Sequence, residues 1–212
     1  EQLKKIQNVV DNINRSQMEI GQLEARKHQV LHYMASVNDQ LGILQNELKI
    51  NEQKRVSEKL EMDSLTDHLT GVFNRRAWDT FLDLEEDRCK TYGHPTTVIM
   101  IDLNDLKAIN DKFGHSAGDQ MIQKTAQILK KNVRSNDLVA RLGGDEFGIL
   151  NIETTLENTQ KLVNRLLKSL QNAGINAALG VAAREPSKNL RMAVIEADEK
   201  MYQHKRQIKV II

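Results

Sequence analysis

The first 64 residues contain no proline, and glycine occurs there only at Gly21 and Gly42. Such a stretch can run as one uninterrupted helix, because the residues that break helices are missing. Apolar residues recur through it in heptads. With position a at Ile6, that series reads Ile6, Ile13, Ile20, Lys27, Met34, Leu41, Leu48, Arg55 and Met62. Position d reads Val9, Ser16, Leu23, Val30, Val37, Leu44, Asn51, Glu58 and Leu65. Thirteen of these 18 positions are apolar, which is the pattern of a coiled coil. A continuous helix of this length spans about 95 Å, and its apolar stripe stays in water unless a partner covers it. Residues 1–64 are therefore expected to form a dimerising coiled coil, with a parallel homodimer preferred over a fragment of a helical bundle. The seam weakens toward its end, where Asn51, Arg55 and Glu58 take core positions while Val56 and Leu60 fall outside. Polar core residues fix register. A stretch able to pair in two registers of similar stability would also pass a signal to the domain behind it.

Thirty Lys and Arg face 29 Asp and Glu, a formal charge of +1. That balance gives no reason to expect a nucleic-acid or membrane-surface partner. No run of 18 apolar residues exists, so no membrane segment is expected in this chain. The single cysteine, Cys89, cannot form an internal disulfide; it is expected to pack in a helix, in a reducing cytoplasmic compartment. The chain opens on Glu1 without a visible signal peptide and reads as a piece of a longer protein, with any upstream sensor domain absent.

After Asp63 the pattern changes to a mixed α/β domain. Asn74 to Tyr92 has helical spacing. Thr97 to Leu103 (TVIMIDL) reads as a buried strand, and Ser116 to Val133 as a helix. Leu138 to Leu142 and Phe147 to Ile152 are strand candidates joined by a Gly-Gly turn, as in a hairpin. Glu153 to Asn172 is a further helix, Ala177 to Ala183 a strand, and Asn189 to His204 a last helix. Strands alternating with helices, plus one hairpin, predict a central sheet with helices packed on it.

Three places in this domain concentrate chemistry. In Arg141-Leu142-Gly143-Gly144-Asp145-Glu146-Phe147, two acids follow two glycines at a tight turn. Glycine permits close backbone approach by a phosphate, and neighbouring carboxylates suit a hard cation such as magnesium; a purely conformational turn would use the same residues. Asp102 ends an apolar strand, where ligands of α/β folds bind, and can share a metal with Asp145. It can equally cap the next helix. Asn110-Asp111-Lys112-Phe113-Gly114-His115, followed by Gly118-Asp119, is read as a polar turn into a helix. An Asp carboxylate accepts two hydrogen bonds from guanine N1–H and N2–H₂ but meets only an acceptor at adenine N1. Helix capping by Asp119 or Ser116 competes with that reading.

These segments together resemble a known family. Arg141 to Phe147 is the GGDEF signature of the diguanylate cyclases. Asp67-His68-Leu69-Thr70-Gly71-Val72-Phe73-Asn74-Arg75-Arg76 is similar to that family's D-x-L-T-G-x-x-N-R-R entry motif. Asp102 to Asp119 is similar to its D-x-D-x-F-K-x-I-N-D-x-x-G-H-x-x-G-D block. Ala197 to Lys205 is similar to its A-D-x-A-M-Y-x-x-K ending. The four blocks stand in the family's order, and the resemblance covers about Asp63 to Lys209.

The resemblance implies a domain over residues 65–212 with an α/β (α+β) fold: a five-stranded sheet flanked by helices, akin to the polymerase palm and class III nucleotidyl cyclases. It implies a nucleotidyltransferase that joins two GTP into cyclic di-GMP. Mg²⁺, with Mn²⁺ as an alternative, would be held by Asp102, Asp145 and the Leu103 carbonyl, with Glu146 assisting nearby. Asn110 and Asp119 would recognise guanine; Lys107, Lys205 and Lys209 would contact the triphosphate beside Gly143 and Gly144. The proton acceptor is Asp145, Glu146 or a metal-bound hydroxide. Because each globule holds one GTP, two must face each other, which a coiled-coil homodimer provides. Arg134-Ser135-Asn136-Asp137 matches the family's R-x-x-D inhibitory site, implying that Arg134 and Asp137 bind the product.

The pattern is departed from in three places. Asn104 replaces a second Asp, Leu106 a common Phe, and Ile208-Lys209 the closing Gly-Arg, which weakens the second phosphate contact because Lys lacks the guanidinium fork. The alternatives to a cyclase are a catalytically silent domain that binds cyclic di-GMP as a receptor, and an oligomerisation scaffold.

Overall fold

The computed structural model describes residues 1–211, with side chains for all of these except 58–61 and 209–211. The chain divides into two compact units, Glu1–Leu60 and Glu61–Ile212. Helix α1 (Gln2–Leu65) runs for 64 residues without a break. In the first unit its core-position residues Ile6, Val9, Ile13, Ile20 and Leu23 are 52–64% exposed in the single chain. No helix among the described residues is long and apolar enough to cross a membrane.

The second unit continues with α2 (Arg75–Tyr92), β1 (Thr97–Leu103), α3 (Leu106–Phe113), α4 (His115–Asn132), β2 (Leu138–Gly143), β3 (Glu146–Asn151), α5 (Leu156–Asn172), β4 (Ala177–Ala183) and α6 (Leu190–Ile211). The strands form an antiparallel sheet in the order β2-β3-β1-β4. All seven positions of β1 are buried, as expected of a strand covered on both faces. Its side chains alternate between two cores. Ile99, Ile101 and Leu103 join Phe147, Ile149, Leu129 and Leu166. Val98 and Met100 join Trp78, Leu82, Leu190 and Ala197. By this two-residue period Asp102 shares the face of Val98 and Met100, the side covered by α2 and α6. There α6 lies close on β4: a Cβ at Gly180 would collide with the Ala197 carbonyl oxygen and the Met201 amide nitrogen.

The structure corrects the sequence reading in four places. The described residues form four strands, not five. Phe73 adds a single parallel rung to Ala140, through Phe73 N–H to Val139 O (3.0 Å) and Arg141 N–H to Phe73 O (2.8 Å). Asn74 then caps α2 through its side chain, accepting from the Ala77 amide, so this segment turns helical after one rung. Residues 106–113, where the sequence pattern over 110–115 predicts a turn, form α3. Helix α5 starts at Leu156 and not Glu153, because Glu153 takes a left-handed φ of 51°. Helix α6 continues past His204 to Ile211.

Candidate active site

The end of β1 gathers most of the candidate residues. Asp102 pairs in register with Glu146 on β3 and Ala178 on β4. Leu103, buried, donates its N–H to the Asp145 carbonyl at 3.0 Å. Central strand and hairpin thus bring Asp102, Leu103, Asp145 and Glu146 to one place, with exposed Gly143 and Gly144 beside them. The turn is fastened from behind. Arg141 donates to the Gly144 carbonyl from Nη2 (2.9 Å) and Nε (3.2 Å), and from Nη1 to both Asp67 oxygens at 3.3 Å. Burial alone would raise the Asp67 carboxyl, but hydrogen bonds from Thr70 together with the Arg141 charge hold it below its usual value. Both residues belong to sequence motifs, but a tie between positions 74 residues apart is not legible there.

Asp102 is 7% exposed, and a buried carboxylate needs a counter-charge. Lys205 on α6 supplies one, with its Nζ 2.5 Å from Asp102 Oδ1. The acids fit a hard divalent cation: an all-oxygen donor set on a buried strand end, already neutralised by a cation. Lys205 is a compact charge on a flexible stem, able to shift from this carboxylate to a phosphate. Asn104, next to the cluster, is buried, and neither atom of its amide has a hydrogen-bond partner among the described residues. Leaving both unpaired is costly, so a polar ligand at this end of the sheet suits that position.

Asn110 on α3 and Asp119 on α4 stand on either side of the corner between these helices. Gly114 joins the helices, donating its N–H to Asn110 O at 2.8 Å. The buried Oδ1 of Asn110 has no partner among the described residues and lies against Gly118, where a Cβ would occupy its place. Asp119 follows, exposed, and Lys107 stands one turn before Asn110, exposed. The Lys209 side chain lies outside the described residues, as does that of the core-position Glu58. Ile208, at the family's Gly position, packs against the core shared by α2 and α6.

Arg134 and Asp137 stand apart from this cluster. They precede β2, whereas Gly143 ends it, about 20 Å away along the strand. The Asp137 carboxylate accepts from the Arg134 N–H (2.9 Å) and the Ile152 N–H (3.3 Å). It therefore shapes the turn, and the Arg134 side chain is left at the rim of a polar cavity of about 260 Å³. Lys161 and Arg165 of α5 line the same cavity. The sequence reading missed these two cations, although their i, i+4 spacing puts both on one helix face.

Comparison with known proteins gives three findings. Residues 64–209 match the family model described as "Diguanylate cyclase, GGDEF domain". The chain is 32% identical over 171 residues to the probable diguanylate cyclase DgcC of Escherichia coli K12, covering 76% of this chain and 45% of that protein; it thus spans under half the length of that relative. Among solved structures, the coiled coil and GGDEF domain of DgcB from Caulobacter crescentus, in complex with c-di-GMP, matches with a TM-score of 0.72 at 22% identity, covering 78% of this chain and 93% of that one. The diguanylate cyclase SiaD of Pseudomonas aeruginosa, in complex with its activator SiaC, matches with a TM-score of 0.67 at 24% identity, covering 97% and 85%. At these identities the structures establish a shared fold.

Proposed function

Because the chain belongs to the GGDEF diguanylate cyclase family, we propose that it condenses two GTP molecules into cyclic di-GMP, releasing two pyrophosphates. The observation that carries this reading is the acidic cluster at the end of β1, where Asp145 is bonded through its carbonyl to Leu103 and Asp102 is neutralised by Lys205. Asp102, Asp145 and the Leu103 carbonyl would hold magnesium or manganese, which would supply Lewis acidity to lower the pKa of the attacking 3′-hydroxyl and offset charge on the phosphates. The chain's own groups do the rest. Asn110 and Asp119 orient guanine by its donor edge. Lys107, Lys205 and Lys209 hold the triphosphate, Lys205 leaving Asp102 to do so, while Gly143 and Gly144 let the backbone approach it. Glu146 adds negative charge opposite Asp102.

One site holds one GTP, so a second chain must present the other. The exposed heptad stripe of α1 supports a coiled-coil homodimer, whose register sets whether the half-sites meet. An upstream sensor would act through this helix, in the cytoplasm where GTP is available. Arg134, Asp137, Lys161 and Arg165 form the product-inhibition site, three of them cations facing a polar cavity.

Incubating the purified chain with GTP and magnesium, and separating the nucleotides by chromatography, tests the reaction. Cyclic di-GMP and pyrophosphate should accumulate together. GTP that survives while labelled cyclic di-GMP binds would make the chain a receptor instead. Gly118→Ala offers a finer probe, because the added methyl displaces the Asn110 side chain. Losing that hydrogen bond to guanine should raise KM for GTP about tenfold, with a melting temperature near that of the parent. An unchanged KM would remove Asn110 from base recognition.

A further inference from the structure

Glu85 and Cys89 are four residues apart on α2 and so share one face of the helix. The helix ends at Gly93, whose left-handed φ of 71° and N–H bond to Cys89 O close the last turn. The chain then brings His94 over Glu85, with the Tyr92 ring stacked beside the imidazole at a 14° interplanar angle. The result is a buried meeting point of three donor types. His94 Nε2 lies 2.9 Å from Glu85 Oε1, and Cys89 Sγ lies 3.7 Å from that same oxygen. The Thr96 hydroxyl donates to it at 2.7 Å and sits 3.3 Å from Sγ. One ligand atom from each of Glu85, Cys89 and His94 falls within 4.8 Å of the other two. Glu85 and Cys89 are 3% and 2% exposed, while the His94 side chain is reached from outside.

We propose that Glu85, Cys89 and His94 form a binding site for a divalent cation of the zinc type, separate from the acidic cluster. Sulfur, imidazole nitrogen and carboxylate oxygen together suit zinc, whereas magnesium takes oxygen alone. The two sites are at opposite ends of β1: Thr96 precedes the strand and Asp102 stands near its end, about 20 Å further on. Three protein ligands leave a fourth position for water, entering past His94. Among the described residues, Glu85 ion-pairs through Oε2 with Arg88, whose Nε is 3.8 Å away and which is shared with Glu153; Oε1, the oxygen facing the other donors, meets His94, Thr96 and Cys89 there. Binding exchanges protons for the cation: the Cys89 thiol releases H⁺ as its sulfur becomes a ligand, and His94 coordinates through Nε2 with its remaining proton on Nδ1. Burial pushes the free thiol up, so without a metal it keeps its proton, and coordination releases that proton to solvent. Bound metal would staple the end of α2 to the entry of β1.

Cobalt(II) titration of the full chain tests the site, because Cys89 is the sole cysteine and a thiolate-to-cobalt charge-transfer band can arise nowhere else. The band should saturate at about one cobalt per chain, be bleached by Zn²⁺, and persist in Asp145→Ala, which alters only the acidic cluster. It should vanish in Cys89→Ser. In His94→Gln, at a loop position that tolerates change, affinity should fall about tenfold or more, and the rise in Tm that zinc gives the parent should shrink with it. Absence of the band, or equal cobalt affinity in His94→Gln and the parent, overturns the proposal. Neither result bears on GTP turnover, so the cyclase reading stands or falls separately.

Discussion

Asp145→Ala is expected to lower cyclic di-GMP formation about a thousandfold or more. A carboxylate that holds a catalytic cation contributes several kcal/mol of charge stabilisation to the transition state, and each 1.4 kcal/mol, roughly, is a factor of ten in rate. The fold should not suffer. Asp145 is only partly buried in the β2–β3 turn, and its structural contribution, accepting the Leu103 N–H, comes from the backbone carbonyl, which alanine keeps. Steady-state turnover measured beside a thermal melt separates the two effects. Activity within tenfold of the parent would remove Asp145 from the cation site, whatever the melt shows.

Glu86 carries the largest expected effect on stability. Its carboxylate accepts from Arg184 Nε and Nη2, both at 2.9 Å, and from the Leu190 N–H at 2.7 Å. One side chain of α2 thereby holds the exit of β4 and the first residue of α6. The Arg184 hydrogen bonds, helped by the Leu190 amide and opposed by burial, hold the Glu86 carboxyl at about 2 in place of 4.5. Glu86→Ala strands a guanidinium whose side chain is 10% exposed. Breaking a buried pair of this kind costs about 3–5 kcal/mol, a fall in Tm of roughly 10 °C for a domain of this size. The pH dependence has a fixed sign. A depressed carboxyl stabilises the fold fully above its unfolded value of 4.5 and loses that contribution as pH falls toward about 2. Denaturant melts at neutral pH and at intervals down to pH 3 should show the parent losing stability over that window while the gap to the variant narrows. A variant as stable as the parent at neutral pH would show that Arg184 finds another partner.

What the sequence revealed and what it hid divide along the range of the contacts. Strand β1 was readable because six of its seven residues are apolar or β-branched and all seven are buried, so composition and environment agree. Strand β4 and the hairpin followed for similar reasons. Helix α3 was hidden: its eight residues include none that are buried, and Asp105 before it adopts φ 64° without a side-chain cap, so no start signal exists. It docks through partly buried Leu106 and Ile109, a tertiary reason that local patterning does not carry. The site divides in the same way. Asp102 and Asp145 were found as acids at a strand end and a glycine turn, with the family resemblance ordering them. The tie from Arg141 to Asp67, the ion pair from Lys205 to Asp102, and the gathering of Lys161 and Arg165 near Arg134 all join elements far apart in the chain. The family resemblance points Lys205 at a phosphate; in the structure its partner is the Asp102 carboxylate.

The bond from the Leu103 N–H to the Asp145 carbonyl makes one proton a gauge of the acidic turn. It lies at the end of a strand with every position buried, where amide protons exchange with solvent only when the structure opens. Deuterium uptake at Leu103 therefore reports how often the hairpin tip lifts from the central strand. Nucleotide or cation gathering the carboxylates would slow that uptake, and any event at the helical end that loosens the tip would speed it. A single amide thus records the state of the site without an attached probe and without turnover.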